Sequence, residues 1–259
     1  MSTSHPRHIK TTSHAGVATI EIARPDKKNA LTQAMYQAMG KAIAVARADT
    51  AVRALLITGQ PDVFTAGNDL DDFLQQSAVS ADSPVRAFMQ ALLECEKPVV
   101  AAVSGAAIGI GATMLLHCDL VYVSDQARLV LPFVALGLVP EFASSLLLPQ
   151  RLGHARASEK LLLAEPITAT EAVELGIASA VVPANELLAH AQRMAGRFTA
   201  LPPGAVRDTK RLMRAGSSAA IAQAMRAEEA MFSERLRSPE ALEALQAFIQ
   251  KRKPDFSRF

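Results

Sequence analysis

The sequence predicts an α/β protein with an all-helical C-terminal part, and three observations carry that expectation. Short strand-patterned runs alternate with helix-patterned ones as far as about residue 140. Beyond that point strand candidates nearly vanish and helical segments follow one another. Half of the 259 residues are hydrophobic and a fifth are charged, the balance of a globular chain. At this length folding buries roughly 70–75% of the unfolded surface, so a large core needs no staples.

The elements follow in order. After a polar tail, Val17-Ala18-Thr19-Ile20-Glu21-Ile22 alternates as a strand does. Arg24-Pro25-Asp26-Lys27-Lys28-Asn29 is a loop by its turn residues. Thr32 is the N-cap of a helix that carries Met35, Met39, Ile43 and Ala46 at helical spacing. A strand at 52–57 ends at Gly59 and Pro61, and Ser83-Pro84 opens another helix with proline in its first turn. Strands follow at 98–103 and 120–123, so the order strand–helix–strand implies an α/β layer structure with right-handed crossovers. Past residue 140 the one strand candidate is Ala180-Val181-Val182. Thr168-Ala169-Thr170-Glu171 is a capping box for a short helix that stops at Gly176. Helices are expected at about 186–198, 203–214, 217–235 and 239–252. This divides the chain into a core over 1–200 and a helical region over 201–259.

Composition excludes several function classes. The charge sum is 27 − 25 = +2 with no long run of one sign, which speaks against a nucleic-acid or acidic-membrane partner. Two cysteines, Cys95 and Cys118, cannot form a disulfide framework or a zinc site. His5, His8 and His14 stand in the polar tail, and no metal site is assigned. The first ten residues lack an apolar signal segment, and no stretch is apolar for long enough to span a bilayer. Ser257-Arg258-Phe259 is not the peroxisomal targeting tripeptide. The expectation is a cytoplasmic protein.

Three features bear on chemistry. Phe64-Thr65-Ala66-Gly67-Asn68-Asp69-Leu70 joins a strand region to an acidic helix start. Ser104-Gly105-Ala106-Ala107-Ile108-Gly109-Ile110-Gly111-Ala112 runs from the strand 98–103 into an apolar helix. Each turn can present backbone N–H groups to an anion or carbonyl, although a tight strand-to-helix turn explains either one taken alone. The third feature is Glu141, a single acid between the apolar runs 131–139 and 146–148. Desolvation there would raise its pKa and make it a better base near neutral pH. A glutamate at a helix N-terminus, favoured by the macrodipole, is the plainer alternative. His117, beside Cys118, reads as a packing or capping residue.

Taken together, these pieces resemble the crotonase, or enoyl-CoA hydratase/isomerase, superfamily from about residue 17 to 249. The ordered landmarks are Arg24-Pro25, Asn29-Ala30-Leu31, the two glycine turns, Lys97-Pro98-Val99-Val100, Cys118-Asp119-Leu120, Gly137-Leu138 and Ala172-Val173-Glu174-Leu175-Gly176. The resemblance implies a spiral of ββα units with a helical C-terminal trimerisation region. It implies that the backbone amides of Asn68, just after Gly67, and Ile110, just after Gly109, form an oxyanion hole for a thioester enolate. It also places Arg24, Lys28, Ala30, Ala66, Gly67, Asp69, Leu70, Gly109, Gly111 and Pro132 where relatives contact the acyl-CoA. Coenzyme A thioester would be the substrate, with no permanently bound cofactor. The assembly would be a homotrimer or dimer of trimers, with Leu242, Leu245 and Ile249 on the associating helices.

Hydratases of this superfamily use two glutamates. Thr113 and Phe133 stand at the corresponding positions, and neither is a general base at neutral pH. Gly67-Asn68-Asp69-Leu70 and Pro140-Glu141 are closer to the peroxisomal-type Δ3,Δ2-enoyl-CoA isomerase branch, in which one glutamate moves a proton from C2 to C4. The expected activity is therefore isomerisation of 3-enoyl-CoA by Glu141. A 2-enoyl-CoA hydratase and a non-catalytic acyl-CoA-binding protein are the alternatives.

Overall fold

The computed structural model describes residues 8–69, 72 and 83–259. Two sheets organise the N-terminal part. The larger contains β1 (Ile9–His14), β2 (Val17–Ile22), β3 (Ala54–Thr58), β5 (Val99–Val103), β7 (Leu120–Ser124) and β10 (Ala180–Val182), in that spatial order. From β2 to β10 every pairing is parallel, while β1 folds back on β2 as an antiparallel hairpin. The smaller sheet contains β4 (Val63–Thr65), β6 (Ala106–Ile108), β8 (Arg128–Val130) and β9 (Ile167–Thr168).

The central strands β3 and β5 are buried at every residue, as strands covered on both faces must be. The pleat divides their side chains between two clusters. Leu55, Ile57, Val99, Ala101 and Val103 face the main core. Ala54, Leu56, Val100 and Ala102 face Leu187, Ala191 and Ala195 of the helix Leu187–Arg197. The helix α1 (Gln33–Ala48) closes the main core with Met35, Tyr36, Met39, Ile43 and Ala46, all buried. Its N-cap Thr32 accepts a hydrogen bond from the Met35 amide, a contact that stabilises a helix start by about 1 kcal/mol. Helix α2 (Pro84–Leu93) packs against it, with the Tyr36 and Phe88 ring centroids 5.7 Å apart.

Lys97 and Lys210, both buried cations, tie the layers together. Lys97 Nζ donates to the Ala46 and Asp49 carbonyls at the C-terminal end of α1, where the helix dipole is negative. Lys210 Nζ donates to Asp119 at 2.6 Å and to the Lys97 carbonyl.

The chain after β8 is helical apart from β9 and β10. Residues Ile110–Thr113 form the short helix α3, and α4 (Ser144–Leu152) and α5 (His154–Leu162) follow. The helix α6 (Ala169–Glu174) carries the expected capping box between Thr168 and Glu171. After α7, the Leu187–Arg197 helix, come α8 (Pro203–Ala215), α9 (Ser218–Arg235) and α10 (Pro239–Ile249).

Three sequence expectations need correction. Residues 9–14 form an edge strand, not a tail. Only Ile9 is buried there, so the apolar alternation that marks a strand is missing. The apolar stretch from 114 to 117 is a tight 3-10 turn after the four-residue α3, because the polypeptide must turn at once into β7. Leu245 is buried within its own chain, whereas Leu242 and Ile249 are exposed. Among the described residues, no helix is long and apolar enough to cross a membrane.

Candidate active site

The two glycine turns leave adjacent parallel strands, because β4 pairs with β6. Gly67 and Gly109 both have positive φ, 87° and 55°. Gly67 sits so close to the next turn that a Cβ would lie 2.9 Å from the Ile108 carbonyl oxygen. Gly111 has no room either, since a Cβ would meet the Thr65 side chain at 2.5 Å. Both positions therefore require glycine.

Each turn presents an unused donor. Leu31 lies beside Asn68 as a parallel bridge, its amide donating to the Gly67 carbonyl and its carbonyl accepting from the Asp69 amide. The intervening Asn68 N–H faces the other way, as alternate amides of an extended chain do. Ile110 is the first residue of α3, so its N–H has no helical acceptor. Among the described residues neither amide meets a backbone acceptor.

The first turn is braced from behind. Asn29 is fully buried with φ of 57°; its side-chain oxygen accepts from the Arg24 amide, and its side-chain nitrogen donates to the Val63 and Phe64 carbonyls. Arg24 Nη1 donates to the Ala30 carbonyl at 2.9 Å and to Asp69 at 2.6 Å. Burial pushes the Asp69 carboxyl up, but the Asp72 amide and Arg24 outweigh it and hold its pKa below the usual value. Lys28 is exposed with φ of 49°, and its carbonyl accepts from the Ala66 amide.

Glu141 and Asn68 line one cavity of about 710 Å³. Its apolar walls include Met89, Leu116, Ile177, Ile221 and Met225. Glu141 keeps some exposure as a residue, yet its Oε1 is shut off from solvent and has no hydrogen-bond partner. Burial first, and the nearby Glu228 second, push its pKa up to about 8. A carboxyl in that state exchanges a proton readily near neutral pH.

The backbone that carries Glu141 is strained. Phe142 and Ala143 both lie in the left-handed region, φ 58° and 57°, which costs a residue with a Cβ roughly 1–2 kcal/mol. Their environment holds them there. His117 Nε2 bonds the Phe142 carbonyl at 2.8 Å, and its ring stacks on Phe142 with centroids 3.9 Å apart. Burial lowers the His117 pKa to about 3, so the imidazole is neutral at ordinary pH. The reading of His117 as a packing residue agrees with this geometry.

Tyr36 lies fully buried behind Asn68. Its hydroxyl donates to the Asn68 side-chain oxygen. Burial, with Glu141 and Asp72 nearby, holds its pKa well above the ordinary tyrosine value, so it remains a donor.

The structure therefore brings Asn68 and Glu141 to one cavity and sets the Gly109-Ile110-Gly111 turn beside Gly67. Arg24, Lys28, Ala30, Ala66, Gly67, Asp69, Gly109, Ile110, Gly111 and Pro132 lie outside the lining of that cavity. Leu70 lies outside the described residues. Among the described residues no cluster of His, Cys, Asp and Glu could hold a metal ion.

Comparison with known proteins gives this geometry its context. The profile of the enoyl-CoA hydratase/isomerase family matches residues 12–258. The chain belongs to that family. It is 34% identical to rat enoyl-CoA delta isomerase 2 over 94% of its length, but spans 64% of that longer relative. It is 31% identical to an Escherichia coli 2,3-dehydroadipyl-CoA hydratase, covering 93% of this chain and 94% of the relative. Among solved structures, Pseudomonas aeruginosa OdaA is 51% identical with a TM-score of 0.92, over 94% of this chain and 99% of that one. The crotonase-type α/β fold expected from the sequence is thus shown, and so is the broad class of enzyme.

Within this enoyl-CoA hydratase/isomerase frame, the two positions that resemblance assigns to hydratase acids are closed. Thr113 is fully buried with its hydroxyl turned to the Ile110 carbonyl, and Phe133 is buried in the core. The sequence reading did not single out Tyr36 or Glu228. Tyr36 sits among the buried residues of α1, and its neighbours in the chain do not set it apart. Nothing local marks Glu228, because its partners lie 83 and 85 residues away.

Proposed function

We propose that the protein is a Δ3,Δ2-enoyl-CoA isomerase that takes a coenzyme A thioester as substrate and needs no bound cofactor. One observation carries the choice. Five acids line the cavity, and four are engaged: Glu94 by Arg47 and Gln90, Asp119 by Lys210 and Arg214, Glu228 by the turn at 143–145, and Glu229 by Arg86. Glu141 alone among these described acids has an unpartnered buried oxygen.

In this mechanism the thioester oxygen of a 3-enoyl-CoA accepts hydrogen bonds from the Asn68 and Ile110 amides. Ionised Glu141 removes a proton from C2, and the C2–H electron pair enters the dienolate. Negative charge grows on the thioester oxygen, where preorganised amides stabilise it more than they stabilise the ground state. The protonated Glu141 then returns the same proton to C4, so the double bond moves from C3–C4 to C2–C3. No atom is gained or lost. One carboxyl that can hold and release a proton suffices, and a pKa near 8 suits both halves.

The exposed apolar side chains of α10, Leu242, Phe248 and Ile249, support association through the C-terminal helices as a homotrimer or dimer of trimers. Mass photometry tests this, and a purely monomeric protein would exclude it.

The deciding experiment is incubation with trans-3-hexenoyl-CoA. A 2-enoyl product of unchanged mass is expected, and Glu141→Gln should lose at least about a thousand-fold in rate while still binding acyl-CoA. A product heavier by one water, or a Glu141→Gln enzyme that keeps its rate, would overturn the reading.

A further inference from the structure

The turn that presents Glu141 lacks the usual means of holding itself. Ala143 occupies the N-cap of α4 and has no side chain to accept from the first helical amides. Phe142 and Ala143 are both left-handed, and neither is the glycine or asparagine that tolerates this conformation. A carboxylate from a distant helix supplies the missing acceptors. Glu228, buried on α9, accepts from the Ala143 amide at 2.6 Å with one oxygen. Its other oxygen accepts from the Ser145 amide at 2.9 Å and the Ser145 hydroxyl at 2.5 Å.

We propose that Glu228 is a positioning residue: its carboxylate caps α4 from outside, fixes the left-handed Phe142-Ala143 turn, and so aims Glu141 into the cavity. The proposal rests on the assignment of Glu141 as proton carrier. It gives the C-terminal helical region a part in the chemistry, because Glu228 of α9 would set the position of the base. The charge of Glu228 also faces Glu141 across the turn and adds to the burial that holds Glu141 protonated. The other titratable groups nearby are Tyr36 from α1, whose hydroxyl feels the Glu141 charge, and His117 from the 3-10 turn at 114–117, which bonds the carbonyl of the adjacent Phe142. Tyr36 and His117 stay neutral at ordinary pH.

Glu228→Gln and Glu228→Asp separate the two effects. A carboxamide accepts with only one end, so Glu228→Gln loses both the negative charge and one of the capped donors. The shorter Glu228→Asp keeps the charge but cannot span both ends of the turn. With trans-3-hexenoyl-CoA, kcat should fall on the order of ten- to a hundred-fold in both variants, the effect of a slightly misaimed group, with KM little changed. With ¹³C-labelled glutamate, the Glu141 carboxyl, assigned by its loss in Glu141→Gln, should titrate at lower pH in Glu228→Gln than in wild type. In Glu228→Asp the titration should move less.

Wild-type kcat in Glu228→Gln, or an unmoved Glu141 titration, would overturn the proposal. If the wild type does not isomerise at all, the Proposed function fails, while the titration still decides whether Glu228 acts on Glu141. Should Glu228→Gln not fold, Ser145→Ala removes a single donor and should lower kcat in the same direction by a smaller factor. No change there would count against the proposal.

Discussion

Gly67 lies over the carbonyl of Ile108 with no space for a Cβ, which would sit 2.9 Å from the oxygen, and this contact locks the two glycine turns together. Gly67→Ala must therefore change φ from 87° and push the turns apart at the same time. If the Asn68 amide is an oxyanion donor, kcat/KM should fall roughly a hundred- to a thousand-fold. Gly196→Ala is the control, because a Cβ there, inside α7, meets nothing within 4 Å. It should leave activity intact and stabilise the protein by about 0.5–1 kcal/mol in urea unfolding.

The rate should also depend on pH in one direction. Glu141 must be ionised to take the first proton, and its pKa is about 8. The kcat/KM of the free enzyme should rise with pH through an apparent pKa near that value and then level off. His117 contributes no limb around pH 6.5, because its pKa lies near 3. A profile flat from pH 6 to pH 9 would remove Glu141 from the role of base.

The parts of this architecture that the sequence reveals are those whose causes are local. The strands at 54–58 and 99–103 show because both faces are buried, so every residue is apolar or small. The capping box at Thr168 shows because its partner is three residues away. Glu141 stands out because the residues flanking it are apolar. The edge strand at 9–14 is hidden, since five of its six residues are exposed. The second sheet is hidden too, because strands of two or three residues are too short to show a period. The bracing of the base depends on where α9 is docked, and the bond from Tyr36 to Asn68 on where α1 is. Neither Glu228 nor Tyr36 carries any mark in its own neighbourhood of the chain.

Arg24 offers a separate prediction. Its guanidinium is spent on the Ala30 carbonyl and Asp69, with side-chain exposures of 14% and 8% for the ion pair. Arg24→Ala leaves the Asp69 carboxylate buried with, among the described residues, the Asp72 amide as its remaining donor. Breaking such a pair from one side costs about 3 kcal/mol, to be read from the urea midpoint. The loss should be smaller in acid. The Asp69 pKa is held below its unfolded value, so its contribution is full above that value and disappears as pH falls through the folded one. An Arg24→Ala protein of unchanged stability at pH 7 would assign Arg24 to ligand contact instead.

The last prediction concerns the cost of keeping Glu141 where it is. Its folded pKa of about 8 lies above the ordinary 4.5, so the folded state favours the neutral form. Below pH 4.5 both folded and unfolded chains carry a protonated Glu141, and no penalty arises. Between the two values the unfolded chain releases the proton more readily, so Glu141 destabilises the fold increasingly as pH rises. Above about pH 8 the penalty is constant. One pKa unit corresponds to about 1.4 kcal/mol, which sets a ceiling near 5 kcal/mol on the full effect. Glu141→Gln keeps the shape and cannot ionise, so it should match wild-type stability near pH 4.5 and exceed it progressively towards pH 8. Urea unfolding of both proteins across that range measures the difference directly. A Glu141→Gln curve parallel to wild type at every pH would mean that the carboxyl is well solvated, and a solvated carboxyl would not have the raised pKa on which its role as proton carrier depends.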